Sequence, residues 1–371
     1  MKVIFVCGGT AGHINPALAV AARLKDMVPD VKLLFVGSGR EMENKLIPEA
    51  GYKLVNIKMS GLSRGFSPSK IISNIKTAGK LMSAKKEAGK LLSSFKPDAV
   101  AGTGGYICYP VLLKASGMGI PTLIHESNAV PGLTTRLLST RADKVLVSFP
   151  GLEKMYRQPE RVVFTGTPVR KGFDIQKDSG KRNSHNEKPL VVSFWGSLGA
   201  EHMNEVIAHM IKLNVDGMGF WHIHAAGKSG YAEKIKDRLT QLGITGDLPP
   251  NIEVRDYIDD MPSVMAAADI VLCRAGASTL AELTVMGKPA VLVPSPYVTD
   301  NHQQHNAMQL KKAGGAIVLP EEECTGSVLY ETVMSLIKDI ASLQSMSEAQ
   351  KTQGTNDAAE RMAKMILDMA Q

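Results

Sequence analysis

The chain is 371 residues long, 44% hydrophobic and 21% charged, with a formal net charge of +7. That length exceeds one ordinary core and predicts two domains, while no apolar run approaches the ~20 residues that cross a bilayer. The first apolar run ends in glycine too early for a secretory signal, and four scattered cysteines without a CxxC pair exclude a disulfide framework or zinc cluster and point to a reducing cytoplasm.

The charge is unevenly spread. Residues 1–165 hold 23 Lys and Arg against 11 Asp and Glu, a net of +12, whereas residues 166–371 hold 20 against 25, a net of −5. The surplus gathers between Lys58 and Lys96, where nine basic residues face one acid, Glu87. One basic half implies an anionic partner, either a membrane surface or a nucleic acid.

The first strand is Val3–Cys7, and the turn after it, Gly8-Gly9-Thr10-Ala11-Gly12-His13, leads into a helix expected from Pro16 with Asn15 as its N-cap. Such a turn presents backbone N–H groups to an anion. His13 adds a group able to take a proton near neutral pH; a capping role is the alternative. The next strands are Lys32–Val36 and Leu54–Ile57. The glycines at 8, 9 and 12 do not form GxGxxG, and Phe35-Val36-Gly37-Ser38 carries no acid for a ribose, which argues against a nicotinamide enzyme.

Pro68–Phe95 reads as a basic helix with Ile71, Ile75, Ala78 and Met82 on one face and Leu91, Leu92 and Phe95 continuing the stripe. Such a stripe commonly packs on its own domain under a solvated lysine face. The excess of basic over acidic residues points instead to an interfacial role, and the lack of interleaved aromatic residues favours a lipid surface over nucleic acid. Further strands follow at Asp98–Ala101, Pro121–Ile124 and Lys144–Ser148. The first of these ends in Gly102-Thr103-Gly104-Gly105-Tyr106, the second in His125-Glu126-Ser127-Asn128, polar groups that serve either a site or loop hydrogen bonding.

A seam is expected at Gly166-Thr167-Pro168 and the polar stretch Asp174–Lys188, giving domains over 1–165 and 166–345, with the helical segment from about 346 to 371 closing the second or returning to the first. The second domain repeats the rhythm with strands at Leu190–Phe194, Gly219–His224, Ile252–Arg255, Asp269–Cys273, Ala290–Pro294 and Ala316–Leu319. Its opening, through Trp195-Gly196-Ser197-Leu198-Gly199-Ala200, echoes the first glycine turn. The fold class is therefore α/β, two Rossmann-like parallel-sheet domains with ligands at the carboxyl ends of the strands, facing across a cleft.

Two roles are open for Glu282 in Cys273–Glu282: a capping box with Thr279, or a carboxylate for ribose hydroxyls beside phosphate-holding helix N–H groups. Asp300-Asn301-His302-Gln303-Gln304 reads as a hydrogen-bonding loop suited to a sugar, with a solvated loop as the alternative. His222 and His224 share one face of a strand without a third ligand, and Asp259-Asp260 are adjacent rather than spaced for a cation, so no metal is expected. Helix N-termini and Arg170 are the expected stabilisers of an anionic leaving group.

Eight segments in order, GGTAGHINPALA, GTGGY, HESNAVPGLTTRLL, GTPVR, GSLGA, YIDDM, RAGASTLAE and DNHQQHNA, resemble the MurG family of peptidoglycan glycosyltransferases over nearly the whole chain. The resemblance implies the GT-B fold. It also implies inverting, metal- and cofactor-free transfer of N-acetylglucosamine from UDP-GlcNAc to the C4 hydroxyl of the lipid-linked muramyl peptide, lipid I, giving lipid II at the cytoplasmic face of the cell membrane. Thr10, Ala11 and Gly12 would lie where donor and acceptor meet, with Asn128, Arg170 and Ser197 near the sugar and diphosphate. Ile258 would meet uracil, Ala277, Ser278, Thr279, Leu280 and Ala281 would present helix-start amides, Glu282 would hold the ribose, and Gln303 and Gln304 would read the sugar hydroxyls. His13 is the expected general base, with Glu126 and Asp300 as alternates. Three segments depart from the family pattern: Trp195-Gly196-Ser197-Leu198 stands for Gly-Gly-Ser-Gln, Ser127 for a glutamine, and Ile107-Cys108-Tyr109-Pro110 for a smaller Ser-Gly-Pro. The rival reading is a UDP-GlcNAc 2-epimerase, or a non-catalytic binding module.

Overall fold

The computed structural model describes residues 1–59, 68–173, 188–228 and 230–371, and for residues 68–78 the backbone alone. Arg64 and most of the expected seam, Asp174–Glu187, lie outside the described residues, as do the side chains of Lys70, Ile71, Ile75, Lys76 and Ala78. The chain divides into two compact units, Met1–Lys171 with Thr355–Gln371, and Gly172–Gly354.

In the first unit the apolar runs pair as parallel strands. The elements are β1 (Lys2–Cys7), α1 (Ala11–Met27), β2 (Lys32–Gly37), α2 (Glu41–Glu49), β3 (Leu54–Asn56), α3 (Pro68–Phe95), β4 (Ala99–Gly104), α4 (Cys108–Ser116), β5 (Thr122–Glu126), α5 (Leu133–Leu138), β6 (Lys144–Val147) and β7 (Val162–Phe164). They form one sheet in the order β3-β2-β1-β4-β5-β6-β7. The central strands are buried on both faces, which is why they read as continuous apolar runs. Strand order reverses between β1 and β4, so the turns after these two strands open at one place on the carboxyl edge.

α1 buries Ile14, Ala17, Val20, Ala21 and Leu24, an apolar stripe of helical period. It begins at Ala11 behind the N-cap Thr10, not at Pro16, so His13 lies in its first turn and Asn15 is no cap. Pro16 lies inside the helix, where its missing N–H removes one bond from the ladder. On α3 the buried side is Ala84, Ala88 and Leu92, while Met82 is 67% exposed. The expected stripe therefore splits: Met82 faces away from the packed side.

The second unit holds β8 (Leu190–Phe194), α6 (Glu201–Gly217), β9 (Trp221–Ala225), α7 (Tyr231–Gln241), β10 (Ile252–Arg255), α8 (Met261–Ala267), β11 (Ile270–Cys273), α9 (Ala277–Met286), β12 (Ala290–Leu292), α10 (His302–Lys312), β13 (Ala316–Val318), α11 (Gly326–Lys338) and α12 (Ile340–Gln353). Its parallel sheet runs β10-β9-β8-β11-β12-β13, the same switch pattern. Residues 346–353 complete α12 here, and the return to the first unit starts at Thr355. The last helix, α13 (Ala358–Met369), adds Met362, Ala363 and Ile366 to the core that contains α1, and Arg23 Nη2 pairs with Glu360 Oε2 at 2.6 Å. Among the described residues no helix is long and apolar enough to cross a membrane.

Candidate active site

At the switch point of the first unit two glycine turns touch. Gly8 N donates to Gly104 O at 3.1 Å, and a Cβ on Gly105 would meet Gly8 O at 2.5 Å. Gly9, Gly104 and Gly105 hold φ of +95°, +122° and +92°, which an L side chain rarely adopts. His13 lies half-buried against this pair. Its Nδ1 is 2.8 Å from Gly8 O. A carbonyl only accepts, so Nδ1 carries the proton and Nε2 of the neutral ring carries the lone pair. Thr103, itself buried, donates from Oγ1 to His13 O at 2.7 Å and fixes the start of α1.

One residue at this turn escaped the sequence reading. Glu43 of α2 is fully buried, and its carboxylate accepts from Gly9 N (2.7 Å), Ser38 N (2.6 Å), Ser38 Oγ (2.7 Å), Gly39 N (2.8 Å) and Arg40 N (3.2 Å). A Cβ on Gly8 or Gly37 would lie 2.8 or 2.7 Å from its oxygens, so both glycines make room for the carboxylate. The one sequence signal was three residues of spacing from Arg40, the N-cap of α2, to Glu43.

The segment after β5 is buried and internally bonded. Glu126 Oε1 accepts from Asn128 N (3.1 Å) and Nδ2 (3.0 Å), and Oε2 from Gly132 N (2.9 Å) and Thr135 Oγ1 (2.6 Å). Four donors occupy the lone-pair sites of this carboxylate, which ties the loop to the start of α5. His125 donates from Nε2 to Gly166 O at 3.0 Å while Ser127 Oγ lies 3.3 Å from Nδ1; burial pulls its pKa down to about 4 and keeps it neutral. Arg170 is half-buried at the end of the first unit rather than in the second.

The second unit carries a matching arrangement. After β8 the turn Gly196 to Ala200 meets the turn after β9: a Cβ on Gly199 would sit 2.1 Å from Ala226 O, and one on Gly227 2.3 Å from Gly199 N. Ser197 is exposed on this turn, and its carbonyl accepts from Lys228 N at 3.3 Å. Lys228 Nζ stands 3.9 Å over the Tyr257 ring, beside the buried Ile258. After β11, α9 starts at Ala277 with Gly276 as N-cap, so Glu282 is the sixth helical residue and no capping box with Thr279 forms. Gly276 offers no side-chain oxygen to the first N–H groups of α9, which suits an anion. Glu282 is buried near Cys273, whose thiol burial and the Glu282 charge push up.

Gln303 and Gln304 lie in the first turn of α10, not in a loop, and follow Asp300 and Asn301 with φ of +52° and +51°. Gln303 Oε1 accepts from Ser295 N at 2.8 Å. A cavity of about 340 Å³ joins Gln303 to Trp195, Gly199, Arg274, Tyr297 and Glu321. Arg274 Nη1 pairs with Glu321 Oε2 at 2.6 Å, both nearly buried, and its guanidinium stands 5.8 Å over the Trp195 ring. Ser193 Oγ is 2.7 Å from both His222 Nε2 and His224 Nδ1; burial lowers both pKa values, His222 to about 3, so the pair is a neutral core feature. Among the described residues no cluster of His, Cys, Asp or Glu has the makings of a metal site. The four cysteines are all buried and free.

Two parallel sheets of this kind, each with its glycine turn at the switch point, are the two halves of the GT-B fold. The glycosyltransferase family 28 N-terminal domain matches residues 3–147 and the family 28 C-terminal domain residues 190–362. The UDP-N-acetylglucosamine--N-acetylmuramyl-(pentapeptide) pyrophosphoryl-undecaprenol N-acetylglucosamine transferase of Acetivibrio thermocellus is 42% identical, covering 100% of this chain and 98% of its own. The protein of the same name from Listeria monocytogenes is 39% identical over 100% and 99%. The crystal structure of Acinetobacter baumannii MurG superposes with a TM-score of 0.78 at 28% identity, covering 99% of each chain. The chain belongs to the MurG family. The fold alone is shared with the UDP-GlcNAc 2-epimerase of Neisseria meningitidis, at a TM-score of 0.68 and 16% identity over 99% of this chain and 100% of that one.

Proposed function

We infer that the chain transfers N-acetylglucosamine from UDP-GlcNAc to lipid I, giving lipid II in peptidoglycan synthesis. The observation that carries this is identity near 40% over the full length to relatives named for that transfer. The acceptor's C4 hydroxyl attacks the anomeric carbon, the bond to UDP breaks, and the configuration inverts. His13 takes the hydroxyl proton at Nε2, the lone-pair nitrogen left by the Nδ1–H bond to Gly8 O. Thr10, Ala11 and Gly12 shape the turn around it, and Glu126 orients Asn128 instead of moving a proton.

The donor belongs to the second unit in this reading. The N–H groups from Ala277, Ser278, Thr279, Leu280 and Ala281 receive the diphosphate, with Arg170 offering charge to the leaving group. Glu282 takes the ribose hydroxyls, the backbone at Ile258 meets uracil, and Ser197, Gln303 and Gln304 meet the sugar. In this reading the exposed Lys80, Met82, Lys86 and Lys90 of α3 meet an anionic lipid surface, and the enzyme works peripherally at the cytoplasmic face of the membrane.

UDP release from UDP-GlcNAc, measured with and without a lipid I analogue of shortened prenyl chain, tests the function. Acceptor-dependent release with a disaccharide product is expected. Consumption of UDP-GlcNAc without acceptor would replace the transferase with an epimerase. His13→Ala is expected to cut turnover by about 100-fold or more while UDP still binds; full turnover would remove His13 from the mechanism.

A further inference from the structure

Glu43 and His13 address opposite ends of one peptide group. Glu43 Oε1 accepts the N–H of Gly9 at 2.7 Å, and the carbonyl of the same Gly8–Gly9 peptide accepts the Nδ1–H of His13 at 2.8 Å. The carboxylate is fully buried, and every other donor to it is local to the β2–α2 turn. Gly9 N is its one contact outside that turn among the hydrogen bonds described. Gly8 and Gly37 both lack the Cβ that would collide with its oxygens, so the approach is built into the sequence at two separate positions.

We propose that Glu43 is a positioning residue that acts on His13 through the Gly8–Gly9 peptide, fixing the imidazole as its Nδ1–H tautomer with Nε2 free to accept the acceptor's proton. A carboxylate held against the N–H end draws positive charge to that end and makes the carbonyl oxygen a stronger acceptor. A stronger acceptor at Gly8 holds the Nδ1–H and supports the imidazolium that forms when Nε2 gains the hydroxyl proton. In that step the O–H bond breaks and the Nε2–H bond forms. The oxygen's electron pair goes to the anomeric carbon and the bonding pair leaves with UDP. The Nδ1 proton stays on nitrogen throughout, and Glu43 keeps its charge. The arrangement does with a peptide link what a carboxylate does directly in a Ser-His-Asp triad. It rests on His13 being the base.

The experiment reads the tautomer and the rate separately. In protein labelled with ¹⁵N-histidine, the His13 resonances are those lost in His13→Ala, and their shifts above pH 8 report which nitrogen bears hydrogen. The wild type is expected to show Nδ1–H. Glu43→Gln is expected to raise the Nε2–H fraction and to lower kcat by about 10–100-fold with KM for UDP-GlcNAc unchanged, the range seen when a ligand-orienting partner is lost. Glu43→Asp, which keeps the charge, is expected to recover part of both and to serve as the reading if Glu43→Gln does not fold. An unchanged tautomer in folded Glu43→Gln and Glu43→Asp, whatever their melting temperatures, would overturn the proposal. A tautomer shift together with full turnover in His13→Ala would leave the Glu43–His13 relay standing and remove the base assignment instead.

Discussion

Gly104 lies under the imidazole of His13: a Cβ built on Gly104 would fall 2.4 Å from His13 Cδ2 and 2.8 Å from Nε2. The ring is thus set by three backbone groups at once, the Gly8 carbonyl at Nδ1, the Thr103-bonded carbonyl of its own residue, and Gly104 beneath its face. Gly104→Ala forces the ring away at a position where φ of +122° also strains any side chain. A displacement of about 1 Å costs on the order of 100-fold in rate. The expected result is that loss in kcat with the UDP dissociation constant of the second unit unchanged; a variant that turns over normally would show the ring has no fixed place in the reaction.

Glu282 now has one reading fewer. Because α9 starts at Ala277, its carboxylate is too far along the helix for a capping box, and it stands buried near Cys273 instead. Charge-assisted hydrogen bonds to two ribose hydroxyls contribute about 1.5–3 kcal/mol. Glu282→Gln should therefore weaken UDP binding by about 10–100-fold in titration calorimetry while the melting temperature holds. Unaltered affinity would take the ribose from Glu282.

Glu126 is expected to behave as a structural group. Its four donors come from Asn128, Gly132 and Thr135, so Glu126→Ala takes the acceptor from the buried Thr135 hydroxyl and loosens the loop between β5 and α5. A destabilisation of about 3 kcal/mol is expected, seen as a lowered melting temperature. At temperatures below the transition its kcat should fall less than that of His13→Ala. A larger loss in kcat, with stability intact, would return Glu126 to the chemistry.

What the sequence made legible follows from where its signals are local. The central strands were readable because both faces are buried, which leaves uninterrupted runs such as Val3–Cys7 and Ile270–Cys273. β7 was missed because its apolar run, Val162-Val163-Phe164, is only three residues long and follows the polar Gln158 to Arg161 stretch. Helix starts were misplaced where the better-known signal pointed elsewhere: Pro16 reads as a first helical residue, yet α1 accepts it in the second turn, and Gly276 caps α9 where Thr279 looked the better candidate. His13 was visible beside its glycines. Glu43 was not, since its bond to Gly9 spans 34 residues of sequence and only the fold closes it.

Acid should destabilise the protein through its neutral histidines. Burial holds His125 at about 4 and His222 at about 3, against 6.5 for the free group. Between pH 6.5 and 4 the unfolded chain binds protons at these sites and the folded chain does not, so stability is full above 6.5 and falls as pH drops through that window. Each site contributes up to about 3 kcal/mol to the loss at pH 4. Thermal melts at pH 7, 5.5 and 4.5 should show the decline, and His125→Gln, which cannot titrate, should show a shallower one. Equal slopes in the two proteins would exclude His125 as a source.

The exposed side of α3 predicts a salt-sensitive membrane contact. Ala84, Ala88 and Leu92 pack inward, which turns Met82, Lys86 and Lys90 to the opposite, outward face, while Lys80, one turn before Ala84 on its row, is exposed as well. Each lysine near an anionic bilayer contributes about 1 kcal/mol, so replacing Lys80, Lys86 and Lys90 with glutamate should weaken binding to phosphatidylglycerol vesicles by at least about 100-fold. Binding to neutral phosphatidylcholine vesicles should be weak for both proteins, and rising salt should narrow the difference between them. Turnover on a soluble acceptor should remain, because none of these residues lies at the glycine turns. If vesicle binding survives the charge reversal, the basic face of α3 is not the contact; if both binding and soluble turnover fail, the lysines act through the fold.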